Sequence, residues 1–105
     1  MALPQELIAT ILERTRESKL SWSELSSTGF TAPIKPNSLI IDRTVDRRGD
    51  VTYVLRITNE VGTVLESEED YLSNGAIAQI YELARRQALR VDEMLANVKN
   101  ALENL

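Results

Sequence analysis

From Ile77 to Leu105 the apolar residues Ile77, Tyr81, Ala84, Ala88, Val91, Leu95, Val98, Leu102 and Leu105 recur at intervals of four and three without a slip. That spacing keeps them on one face of an α-helix through four heptads. No glycine or proline interrupts the chain from Ala76 onward, so the pattern predicts one helix from about Ala76 to Leu105. At 1.5 Å per residue it would be roughly 45 Å long, whereas the diameter of a small domain is about 30 Å. Its proximal half carries Tyr81, Ala84 and Ala88, small enough for close approach to a sheet or another helix. Its distal half carries the larger Val91, Leu95, Val98 and Leu102, with Ile80, Met94 and Ala101 widening the stripe along the helix. Left in water, each of the four larger side chains would forgo about 1.5 to 3 kcal/mol of burial.

Two readings of this overhang compete. In the favoured one, residues 91–105 extend beyond the core as an oligomerisation helix and pack against the same helix of a second copy or against another protein, the second copy being preferred because two-fold dimers are the commonest homo-oligomers. In the other, the helix bends or breaks near Arg90 to Asp92 and folds back, or its last turns fray. The rest of the chain sets the limit, since 105 residues, 43% of them hydrophobic, supply one domain over 1–105 with one core.

Upstream, "PQELIATILERTRES" repeats Leu7, Ile8, Ile11, Leu12 and Thr15 at helical spacing and predicts an amphipathic helix over Pro4–Ser18, with Pro4 at its first position. The serine-rich "KLSWSELSSTG" breaks that pattern around Trp22. From Phe30 to Glu66 the period is two. "NSLIIDRTVD" and "VTYVLRITN" read as strands joined through "DRRGD", where Gly49 supplies the left-handed residue. Pairing Val45 with Val51 sets Arg43 opposite Tyr53, Ile41 opposite Leu55 and Leu39 opposite Ile57. On the other face it brings Asp42 within reach of Arg56. "NEVG" signals a second turn into "TVLES", and "TGFTAPI" is a further strand that Pro33 and Pro36 confine to an edge. "SEEDYLSNG" reads as polar loop, with Ser73 or Asn74 capping the long helix.

The chain contains no cysteine and no histidine. Disulfides, thiolate nucleophiles, the commonest metal ligand and the commonest general base near neutral pH are therefore unavailable. A net charge of -4 disfavours non-specific binding to phosphate backbones. No run of apolar residues is long enough for a membrane helix, and "MALPQELIAT" lacks the basic and apolar regions of a signal peptide, so a cytoplasmic chain is expected.

Candidate chemistry is sparse. Glu66, Glu68, Glu69 and Asp70 could offer oxygen ligands to a hard cation, but without the spacing of a calcium loop. "RGD" at Arg48–Asp50 matches an adhesion tripeptide that a hairpin turn already explains. Arg85, Arg86 and Arg90, with Arg43, Arg47, Arg48 and Arg56 on the hairpin, could form a basic patch, though acids accompany them. Tyr53, Tyr71, Glu66 and Asp70 would have to converge in three dimensions to make a catalytic site, and no spacing requires it. No catalytic residue, cofactor or metal is expected. Trp22 reads first as a cap on the core and second as an interface anchor. Arg85, next to Ala84 in the seam, could lay its stem on apolar surface and reach an acid on a partner.

Several segments resemble a set of short uncharacterised bacterial proteins of unassigned function. They are the "L-x-W" segment Leu20-Ser21-Trp22, the "I-T-N-E-x-G" turn at Ile57–Gly62 and the helix segment "Y-E-L-A-R-R-Q-A-L-x-V-D" at Tyr81–Asp92. The resemblance covers nearly the whole chain and implies a small bacterial α+β domain, with no catalytic residues to carry over. The fold expected is α+β: an N-terminal helix, an antiparallel meander of three or four strands and a long C-terminal helix, both helices on one sheet face. The expected function is a non-enzymatic, homodimeric protein-interaction or adaptor domain, with Trp22, Tyr81, Arg85, Val91, Met94, Leu95, Val98 and Leu102 at interfaces. A nucleic-acid-binding regulator using Arg85 and Arg86, or a small chaperone-like binder, are the alternatives.

Overall fold

The structure, a computed structural model, describes residues 3–105. Helix α1 (Gln5–Arg16) is followed by strands β1 (Ser23–Glu24), β2 (Gly29–Ile34), β3 (Asn37–Val45), β4 (Val51–Thr58) and β5 (Val64–Asp70), then by α2 (Ala76–Ala88) and α3 (Val91–Glu103). The five strands form one antiparallel sheet in chain order. The class is α+β, with one strand more than the upper expectation.

Two hairpin turns of the same construction set the sheet register. In the first, the Asp46 carboxylate accepts the backbone N–H groups of Arg48 and Asp50, and Gly49 takes φ 88°. In the second, the Asn59 side-chain oxygen accepts those of Val61 and Thr63, and Gly62 takes φ 88°. An Asp or Asn side chain stands in for a backbone acceptor in each, and only glycine adopts the left-handed fourth position without strain. The first turn places Val45 opposite Val51, and the ladder runs through Arg43–Tyr53, Ile41–Leu55 and Leu39–Ile57 as the alternation predicts. On the opposite face Arg56 meets Asp42 at 3.6 Å, the expected diagonal pair. Beyond the second turn the ladder shifts between Ile57 and Thr58, so that Leu65 is an extra residue in β5.

The core lies between the inner sheet face and the helices. Leu39, Ile41 and Leu55 from the sheet and Ile80 and Ala84 from α2 are all 1% exposed or less. Phe30, Ala32 and Ile77 complete that layer, and α1, packed along α2, adds Ile8, Ile11 and Leu12 to the same cluster. α1 ends where Ser18 turns left-handed: Ser18 N–H bonds to the Thr15 carbonyl and Lys19 N–H reaches back to that of Arg14, which satisfies two of the last helical carbonyls.

Several expectations are corrected. The predicted helix over Ala76–Leu105 is two helices, because Arg90 adopts φ 51°, ψ 48° and so turns the chain out of the helical path. Of the two readings of the overhang, the break near Arg90 is therefore present, but α3 does not fold back over the core: α2 is the one element it touches. The serine-rich segment contains β1, whose two residues pair with Phe30 and Thr31 of β2. The strand that begins in "TVLES" continues through Glu68, Glu69 and Asp70, residues expected in a loop, because pairing with β4 outweighs the poor strand propensity of acids. At this outer position the charges also protect an open sheet edge. Neither Ser73 nor Asn74 caps α2. Gly75 does, where an added Cβ would run into the Asp70 carboxylate, and that carboxylate accepts the Leu72 N–H instead. Pro4 sits at the N-cap, one residue before the position expected, and α1 ends at Arg16.

Candidate interaction site

Because α3 contacts only α2, its thirteen residues project from the body as a helix about 20 Å long. The molecule is correspondingly elongated, 53 × 36 × 24 Å. Val91, at the first position of α3, is buried against its own chain. The four apolar residues that follow it on the same face are open to water: Met94 at 51%, Leu95 at 54%, Val98 at 50% and Leu102 at 63%. Leu105 is fully exposed beyond them. Helical spacing places Met94, Leu95, Val98 and Leu102 within one stripe, so the surface is continuous.

The remaining residues singled out from sequence are placed differently. Trp22 is 5% exposed and serves the core. Its indole N–H donates to the Thr15 hydroxyl at 3.2 Å, that hydroxyl donates to the Ile11 carbonyl at 2.7 Å, and the Trp22 backbone N–H donates to the Gln87 side chain at 2.7 Å. Trp22 thus ties the segment before β1 to α1 through its indole and to α2 through its backbone N–H. Tyr81 is likewise drawn inward, its ring 5.6 Å from those of both Phe30 and Tyr53 in tilted contacts. Neither is presented to a partner.

The arginines of α2 and of the break after it are matched by acids, whereas Arg43, Arg47 and Arg48 form no ion pair among the described residues. Arg85 bonds Glu82 through two nitrogens, at 2.7 and 3.2 Å; Arg86 reaches Glu82 at 3.6 Å and Asp92 at 2.9 Å; Arg90 reaches Glu93 at 3.8 Å. The hydrogen bonds from Arg85 hold the Glu82 carboxyl below the usual carboxylate range. A basic patch therefore does not assemble on α2. A half-open cleft of about 350 Å³ lies between α2 and the β3–β4 strands, with Arg43, Tyr53, Tyr81 and Arg85 among its walls. Burial raises the Tyr81 hydroxyl pKa, while Arg43 and Arg85 lower it in part.

Glu66, Glu68 and Asp70 share the inner face of β5, opposite Ile57, Leu55 and Tyr53, while Glu69 lies on the other face. The Glu68 carboxylate accepts the Leu3 backbone N–H at 2.9 Å, and Tyr71 donates to Glu69 at 3.4 Å. Among the described residues no three acidic side chains come together as a metal site would require. "RGD" is part of the Asp46 turn. No helix of the described residues is long and apolar enough to cross a membrane.

The projecting stripe is thus an apolar surface, four residues on one helix face, that packing within the chain leaves uncovered. No family model, curated protein or solved structure matches this chain.

Proposed function

We propose that this chain is a non-enzymatic protein-interaction domain that forms a homodimer through α3. One observation carries the reading: a helix that touches the body only at its start keeps Met94, Leu95, Val98 and Leu102 half or more exposed on one face. Covering the part of each that faces water contributes roughly 1 kcal/mol per side chain, on both protomers. Association itself costs several kcal/mol, so the dimer is expected to depend on concentration in the accessible range. The acid partners of Arg85 and Arg86 count against the nucleic-acid reading, since a guanidinium already neutralised gains less from phosphate.

The resemblance of the Leu20–Trp22, Ile57–Gly62 and Tyr81–Asp92 segments to short bacterial proteins leads us to place this function in a bacterial cytoplasm. The experiment is light scattering after size exclusion, on the intact chain and on a version ending at Glu93 that keeps Val91 and Asp92. The intact chain is expected to increase in mass with concentration while the shortened one stays a folded monomer. Identical masses for both would remove α3 as the contact.

A further inference from the structure

We propose that the second copy lies antiparallel on α3, with Asp92 of each protomer facing Lys99 of the other. This rests on the dimer reading above and adds the geometry, which charge placement selects. In the heptad, Val91, Val98 and Leu105 occupy one seam position, Leu95 and Leu102 the other, and Asp92 and Lys99 flank the seam on the same side, seven residues apart. When two helices pair antiparallel, each flank meets its own counterpart. With the two-fold axis crossing between Ala96 and Asn97, Leu95 packs on the partner's Val98, and Val98 on the partner's Leu95. On one flank Asp92 then meets the partner's Lys99, and on the other Met94 covers the partner's Ala101.

Alternative pairings forgo this match. Sliding the antiparallel pair by one heptad brings Lys99 against the partner's Lys99. A parallel pair sets Lys99 beside the partner's Met94 and leaves Asp92 without a cation from the other helix. The structure shows the groups ready for the exchange. Lys99 is exposed and has no acidic partner among the described residues, and the Asp92 side chain is 87% exposed although it also holds Arg86. Antiparallel alignment also opposes the two helix dipoles favourably and puts the two bodies at opposite ends of the pair. Leu102 of each copy ends beside the hinge of the other, where Val91 is already covered by its own chain.

The test uses the full chain, which has no cysteine of its own. Single cysteines are introduced on the outer face as Asn97→Cys and, in a separate protein, Asn104→Cys, and the distance between spin labels is measured in the dimer. With the axis beside Asn97, the separation at 104 should exceed that at 97, the two Asn104 positions lying about 20 Å apart along the axis. Similar separations at both positions would overturn this pairing and leave the dimer standing. As a second readout, Lys99→Glu should weaken self-association about tenfold. The Asp92→Lys/Lys99→Glu protein should recover most of that loss, and a double variant as weak as the single one would contradict the contact. A monomer at every concentration would overturn the dimer reading and this inference together.

Discussion

Arg86, near the end of α2, and Asp92, in the first turn of α3, are joined by an ion pair of 2.9 Å across the break at Arg90. The Asp92 side chain is 87% exposed, so the pair is screened and contributes about 0 to 1 kcal/mol. What fixes the break is the backbone: Arg90 holds a left-handed conformation, and the turn it makes carries Val91 into cover against α2. A surface helix is thereby aimed away from the core at a defined angle, its apolar stripe outward.

Substitutions at Arg90 measure that device. A left-handed residue with a side chain costs roughly 1 to 2 kcal/mol, and a β-branched one more. Arg90→Val is expected to lower stability by about 1 to 2 kcal/mol in urea denaturation, whereas Arg90→Gly should change it by less than about 1 kcal/mol, relief of strain offsetting the looser unfolded chain. Equal stability of the Val variant and the parent would show that the break is not held at this residue.

The two Asx-centred turns carry the register of β3, β4 and β5. Asp46→Ala and Asn59→Ala each remove an acceptor for two backbone N–H groups. Each should cost about 1 to 2 kcal/mol. The turns share no partner, so the double variant should show close to the sum of the two losses.

Trp22 is the chain's one tryptophan and is buried. Its fluorescence should be blue-shifted in the folded protein and move to the red as a single cooperative transition on unfolding. Trp22→Ala, which removes a side chain buried in the core and its bond to Thr15, should cost about 3 to 5 kcal/mol. A red emission maximum in the native protein would mean the indole is not capping the core.

Alkaline pH tests the placement of Tyr81. Burial raises its folded pKa above the ordinary phenol value of about 10, so the folded state holds the proton more tightly than the unfolded chain. Stability from this source is intact below pH 10 and is lost as pH rises through that value towards the folded pKa. Thermal melts between pH 8 and 11 should show a steeper alkaline loss for the parent than for Tyr81→Phe.

Much of the architecture could be read from residue spacing because local chemistry settled it. The β3–β4 register followed from alternation about Gly49, and with it the Asp42–Arg56 pair. The break at Arg90 was harder, since heptad spacing records which side chains share a face and is insensitive to one residue turning left-handed. Arg90 is neither glycine nor asparagine, so only the burial it permits for Val91 accounts for the conformation. β1 is too short to show a period, and the acids of β5 oppose a strand until its pairing with β4 is known. At the candidate site, the stripe on α3 was visible in advance. The burial of Trp22 matches its first reading as a cap on the core, but its partners Thr15 and Gln87 could not be named, because they lie on other elements.

If the exposed face of α3 joins two copies of this chain, sedimentation equilibrium of the intact chain beside its Leu95→Glu/Val98→Glu variant will separate the two. Both positions are exposed in the monomer, so the variant should fold as the parent does. The parent should rise from the monomer mass of 11.8 kDa towards twice that value as concentration increases, while the variant stays at the monomer mass. A parent that remains monomeric throughout, or a variant that dimerises equally well, would contradict a dimer through α3.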